Sequence, residues 1–88
     1  MQQSQEFMTN KLPPIPPGQI LLEEFMELMG ISQSKLACDI DVLATRINNI
    51  IKHHCSITAD TALRLGKYFN VNPRWWMNMQ NQYDLELA

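Results

Sequence analysis

Between Gly18 and Tyr83 the apolar residues fall into separate stretches that repeat at intervals of three or four residues, divided by short polar breaks. Residues three and four apart share one face of a 3.6-residue turn, so the pattern predicts a chain of short amphipathic helices. In the first, over about Gly18 to Met29, Ile20, Leu21, Phe25 and Leu28 make an inward stripe while Glu23, Glu24 and Glu27 lie outside. Pro13, Pro14, Pro16 and Pro17 precede it and hold the chain extended, and Gly18 releases it into the helix. Gly30 then suits a left-handed stop.

Ser32 is placed to cap a second helix running from Gln33 to about Ile40, with Leu36, Ala37 and Ile40 inward. Asp41 follows in a turn where one residue takes a positive φ, which Asp tolerates better than most side chains. A third helix, about Leu43 to Lys52, buries Val42, Ile47, Ile50 and Ile51. Thr58 caps a fourth, to Phe69, in which Ala62, Leu63, Leu65, Gly66 and Phe69 pack and Asp60 complements the helix dipole. After a turn over Asn70 to Asn72, Pro73 begins a fifth helix, where its missing N–H costs nothing. Trp75, Trp76, Met77, Met79 and Tyr83 supply more apolar surface there than one side of a small core needs. Trp75, Trp76, Met79 and Tyr83 are therefore expected at an interface with a second subunit.

Two short helices joined by a tight turn between Ile31 and Ile51 make the outline of a helix-turn-helix. The third helix leaves Ala44, Thr45, Arg46, Asn48 and Asn49 outward. That set offers a methyl contact, hydroxyl and amide hydrogen bonds for base edges, and one guanidinium for phosphate or guanine. On an isolated helix it would be an ordinary polar face; the turn and the preceding helix make DNA contact the better reading. Gln33 and Lys35 at the start of the second helix, and Lys52 and His53 beyond the third, are expected near the DNA backbone.

Composition narrows this picture. Eighty-eight residues, 45% of them hydrophobic, allow one small helical domain, with residues 1–12 expected as a flexible tail and 13–88 as the folded unit; Met8 is a candidate alternative start. A net charge of −2 argues against a strongly basic nucleic-acid binder. The charge is uneven, however: Ser32 to Lys67 carries Lys35, Arg46, Lys52, Arg64 and Lys67 against Asp39, Asp41 and Asp60. No apolar run approaches the length of a membrane span and no export signal is visible, so the expected compartment is the cytoplasm and Cys38 and Cys55 are expected to stay reduced. His53, His54 and Cys55 crowd a loop too short to aim all three at one metal ion, so neither metal nor cofactor is expected. Nor is there an activated constellation that would make an enzyme.

PPGQILLEEF, ISQSKLA, ITADTALRLGKYF and PRWWMNMQNQYDLE, in that order, resemble the HigA-type addiction-module antitoxins, over about Pro14 to Glu86. The first two pieces say only Xre/Cro-like helix-turn-helix; the last two narrow it to this family. The resemblance implies an all-α, five-helix, lambda repressor-like domain that dimerises and represses its own operon at a palindromic operator. It also implies a partner, a HigB-type toxin acting as a ribosome-dependent messenger-RNA endonuclease. By position, Gln33 and Lys52 would contact phosphates, and Ala44, Thr45, Arg46 and Asn49 would sit at the major-groove end of the third helix. Asp41 replaces a common Gly, and His53-His54-Cys55 a stretch that is often more basic. Two alternatives therefore stand beside the antitoxin: a stand-alone Xre-family regulator, and a protein-interaction module with weak DNA binding.

Overall fold

Residues 14–88 are described by the computed structural model, so the expected tail over residues 1–12, with Met8, and also Pro13 lie outside the described residues. The described chain is all-helical. Pro17–Ile20, Leu21–Met26 and Glu27–Met29 run on as one helix, α1, followed by α2 (Gln33–Ile40), α3 (Ala44–Ile51), α4 (Ala59–Phe69) and α5 (Pro73–Leu87). None is long and apolar enough to cross a membrane.

The middle of α1 departs from the expected pattern. Leu21–Met26 is wound as a π-helix, and the Glu27 N–H reaches back to the Leu22 carbonyl. One wider turn moves the buried face by a residue, so Met26 joins Leu21 in the core. The expected stripe is corrected accordingly: Leu28 is 74% exposed, and Ile20 and Phe25 are only half-buried.

Four helices end in the same way. A left-handed residue follows each, at Gly30, Asp41, His53 and Asn70. The next N–H then bonds a carbonyl five residues back: Ile31 to Met26 at 2.9 Å, Val42 to Ala37 at 3.0 Å, His54 to Asn49 at 2.8 Å and Val71 to Gly66 at 2.9 Å. This satisfies carbonyls that a helix terminus leaves open and turns the chain sharply within two residues. At the other ends, Ser32 accepts the Lys35 N–H at 3.1 Å, Thr58 that of Thr61 at 3.4 Å and Asn72 that of Arg74 at 2.9 Å. α3 has no side-chain cap.

The core joins Leu21 and Met26 of α1, Leu36, Ala37 and Ile40 of α2, Ile47 and Ile50 of α3, Ile57, Ala62 and Leu65 around α4, and Trp76 of α5. Leu63, expected inside, is 59% exposed on the far side of α4. Phe25 bridges α1 to α4 and α5, with ring centroids 4.9 Å from Phe69 and 5.0 Å from Trp76. The Trp76 indole N–H finds no acceptor among the described residues. Burying an indole contributes roughly 4 to 6 kcal/mol, against about 1 to 3 for one orphaned donor, so packing wins at this position.

α1 crosses the end of α3 at Gly18, whose backbone lies so close that a Cβ would overlap the Ile50 carbonyl oxygen and stand 2.8 Å from its carbon. Gly18→Ala is therefore expected to lose about 1 to 3 kcal/mol of stability by overpacking. Gly30→Ala, where a Cβ meets nothing within 4 Å and only the positive φ is at stake, should lose about 1 kcal/mol. Urea unfolding of both variants orders the two effects, and equal losses would contradict the crossing as the tighter constraint.

Candidate nucleic-acid interface

Ile47 and Ile50 anchor α3 with essentially no exposure, and Ile51 is half-buried beside them. Their spacing turns the remaining face outward: Ala44, Thr45, Arg46 and Asn49 are exposed, as are Lys52 and His53 just beyond. Asn48 differs from expectation. It is half-buried, and its Nδ2 donates to Gln33 Oε1 at 3.1 Å, tying the start of α2 to the middle of α3. The bond uses the Gln33 oxygen and leaves its amide N–H groups pointing a donor at any anion nearby.

Lys35 does not stand alone either. Its Nζ lies 3.0 Å from Asp39 Oδ2, which also accepts the Tyr68 hydroxyl at 2.6 Å. The Tyr68 hydrogen bond, reinforced by Lys35, holds the Asp39 carboxyl below its ordinary range. The same bond raises the Tyr68 phenol, and Asp39 raises the Lys35 ammonium. Arg64 is drawn away from the expected basic surface. Its Nε bonds Asp60 at 3.0 Å and its Nη1 donates to the Ile40 and Asp41 carbonyls at 2.8 and 3.4 Å. Arg64 therefore caps the end of α2. The i,i+4 spacing from Asp60 was legible in the sequence; the reach to residues 40 and 41 was not.

At the start of α3, Leu43 stands in the N-cap position, 76% exposed and without a hydroxyl to cap with. The Arg46 N–H turns back to the Leu43 carbonyl at 3.0 Å, and no side chain caps the N–H groups before it, which have an apolar side chain beside them. Nothing in the apolar periodicity singled Leu43 out. Lys52 closes α3 with φ −86° and ψ 6°, and His53 adopts φ 65°. His53 thus has a backbone duty in the turn as well as an exposed ring.

Of the four residues expected at a subunit interface, Trp76 is corrected: it has 0% exposure and belongs to the core of the chain itself, with no surface to offer a second copy. Trp75 is 40% exposed, and Met79 and Tyr83 are half-buried along α5, with Leu85 and Leu87 open beyond them. Gln80, which the sequence reading passed over, is buried, although its i,i+4 spacing from Trp76 put it on the inward face. Cys38 and Cys55 are exposed and unpaired. Among the described residues no group of three or more His, Cys, Asp or Glu side chains is placed to hold a metal ion.

No protein-family model matches the chain. Individual proteins do. Virulence-associated protein I of Dichelobacter nodosus is 48% identical over 79 residues, which cover 90% of this chain and 73% of that protein. Antitoxin HigA-1 of Vibrio cholerae is 33% identical over 72 residues, 82% of this chain and 68% of that one. Among solved structures, the Pseudomonas aeruginosa antitoxin HigA with the higBA promoter superposes with a TM-score of 0.80 at 43% identity, covering 82% of this chain and 78% of the other.

Two expectations follow from the local geometry. His53→Gly relieves a left-handed side chain and should stabilise the protein by up to about 1 kcal/mol in thermal or urea unfolding; a loss would mean the ring makes a contact worth more than the strain. Asp39, depressed below its ordinary 3.8, contributes stability that is complete above that value and is lost as the pH falls through the lowered one. Carboxyl NMR titration of Tyr68→Phe should show the Asp39 pKa rising toward 3.8, and an unmoved titration would rule out the phenol as the main cause.

Proposed function

The chain belongs to the HigA family of helix-turn-helix antitoxins, and from that premise we propose that it binds operator DNA as a homodimer, represses its own operon and neutralises a HigB-type toxin. The outward face of α3 carries this reading: Ala44, Thr45, Arg46 and Asn49 exposed on a helix that Ile47 and Ile50 hold rigidly from behind.

With α3 in the major groove, Arg46 donates to guanine or phosphate, Asn49 pairs its amide with a base edge, and Thr45 supplies a hydroxyl. Ala44 and Leu43 offer carbon to a thymine methyl. Gln33 donates its amide, and Lys35 and Lys52 their ammonium groups, to phosphates on either side of the groove. Asn48 acts through Gln33, to which it is bonded. His53 lies next to Lys52 at the backbone.

One such face carries little charge, so a single copy binds weakly and a pair is needed. Trp75, Met79 and Tyr83 on α5, extended by Leu85 and Leu87, supply the apolar surface for a two-fold pairing, and two recognition helices then address half-sites about 34 Å apart. Operator and toxin both belong to the cytoplasm, where this reading puts the chain. It assigns no catalytic step, cofactor or metal to it.

Arg46→Ala or Asn49→Ala should weaken operator binding by about 1 to 3 kcal/mol. Lys52→Ala should instead weaken binding to all sequences and make the salt dependence shallower by about one phosphate contact. Fluorescence anisotropy on the chain's own upstream DNA at several salt concentrations measures both. Wild-type binding that ignores salt would sink the operator reading in favour of a protein-interaction module. Co-expression with an adjacent small gene tests the antitoxin: relief of growth arrest and a purified complex are expected, and their absence leaves a stand-alone regulator.

A further inference from the structure

The loop that carries Lys52 and His53 returns to the core at Ile57, and there its backbone is tied to α5. Gln80 is 6% exposed; its Oε1 accepts the Ile57 N–H at 2.8 Å, and its Nε2 donates to Asp84 Oδ1 at 2.9 Å. Ile57 precedes the cap of α4 and its side chain is 1% exposed, so no helix and little water can serve that amide otherwise.

An apolar residue one turn beyond Trp76 would pack that position at less cost, because every polar atom of a buried glutamine must find a partner. Among the described residues only Thr61 and Gln80 are buried polar side chains. Thr61 is accounted for by its neighbour Thr58, whose hydroxyl lies 3.3 Å from its own. Gln80 is different: its amide N–H has a local partner in Asp84, four residues on, but its oxygen does not. Its one long-range bond reaches 23 residues back, to the far end of the loop that begins at the end of α3.

On the reading of that loop as a DNA-backbone contact, we propose that Gln80 is a positioning residue for operator binding. The near end of the 52–57 loop is fixed to α3, where the Lys52, His53 and His54 N–H groups donate to the Asn48, Ile50 and Asn49 carbonyls. The Gln80 bond to Ile57 fixes the far end, so the segment that presents Lys52 and His53 to the phosphates is held from both sides. Met79 and Tyr83, which supply the proposed subunit contact, lie within the same turn of α5 as Gln80. Pairing of two copies through α5 and phosphate contact by the loop are therefore linked through one side chain, with Asp84 holding its amide in the required orientation.

The test exchanges donor and acceptor on the full-length chain. Gln80→Glu keeps an acceptor for Ile57 but sets a carboxylate against Asp84; adding Asp84→Asn restores both hydrogen bonds with the net charge unchanged. Operator affinity of Gln80→Glu is expected to fall roughly tenfold, with the salt dependence shallower by about one phosphate contact. The Ile57 amide should exchange faster in the free protein. The double variant should recover affinity, slope and amide protection together; a merely structural role would lower the folded fraction of the single variant and leave its salt slope unmoved.

Unchanged affinity and slope in the single variant, or a double variant that regains the Ile57 protection but not the slope, would overturn the proposal. If the single variant does not fold, the double variant decides; if neither folds, Gln80 is a core residue and nothing more. Failure of the wild-type chain to bind its operator would remove the positioning role together with the operator reading. Ile57 exchange, measured without DNA, still reports separately whether the tie to α5 exists.

Discussion

The packing of α3 against the rest of the molecule is the constraint on which the other elements depend. A recognition helix of eight residues is too short to be stable alone, so its outward face is only as well defined as its inward anchorage. Ile47 and Ile50 provide that anchorage from within. The approach of Gly18 to the Ile50 carbonyl brings α1 over its C-terminal end. Asn48 to Gln33 fixes it against α2, and Gln80 to Ile57 holds the chain that leaves it. In the proposed operator-binding role such rigidity matters, because a base contact is informative only if the side chain that makes it cannot wander.

The compactness needed to bring these contacts together comes from the helix ends. Left-handed residues after α1, α2, α3 and α4, each followed by an N–H that reaches five residues back, let consecutive helices reverse within a few residues. Only one of the four is a glycine. Asp41, His53 and Asn70 accept the conformation at some cost, and Asp41 gains a compensating contact when Arg64 donates to its carbonyl and to that of Ile40. The departure from the commoner glycine at Asp41 is thus absorbed by the fold.

Charge follows the same logic of local use. Of the five cations between Ser32 and Lys67, Arg64 is spent on capping α2 and Lys35 is held by Asp39, itself held by Tyr68. Arg46 and Lys52 remain without an ion-pair partner among the described residues on the α3 side, and Lys67 on α4. A protein of net charge −2 with so few unpaired cations on the α3 side gains little from long-range attraction to a polyanion.

All five helices, the caps Ser32 and Thr58, the left-handed Asp41 and the outward set on α3 apart from Asn48 were legible in the sequence, because each depends on residues within a few positions of one another: a repeat of 3.6, a hydroxyl three residues before an amide, a turn preference. What the sequence could not reveal depends on which distant groups meet. The π turn exchanges Leu28 for Met26 in a helix whose first turn packs against both α3 and α5. Trp76 proved to be core rather than interface because Phe25 and Phe69 enclose it. Arg64 and Gln80 found backbone partners 24 and 23 residues away. Local propensity determined where helices begin and end; tertiary packing alone decided which of their polar side chains stay outside for a partner and which are consumed in holding the frame.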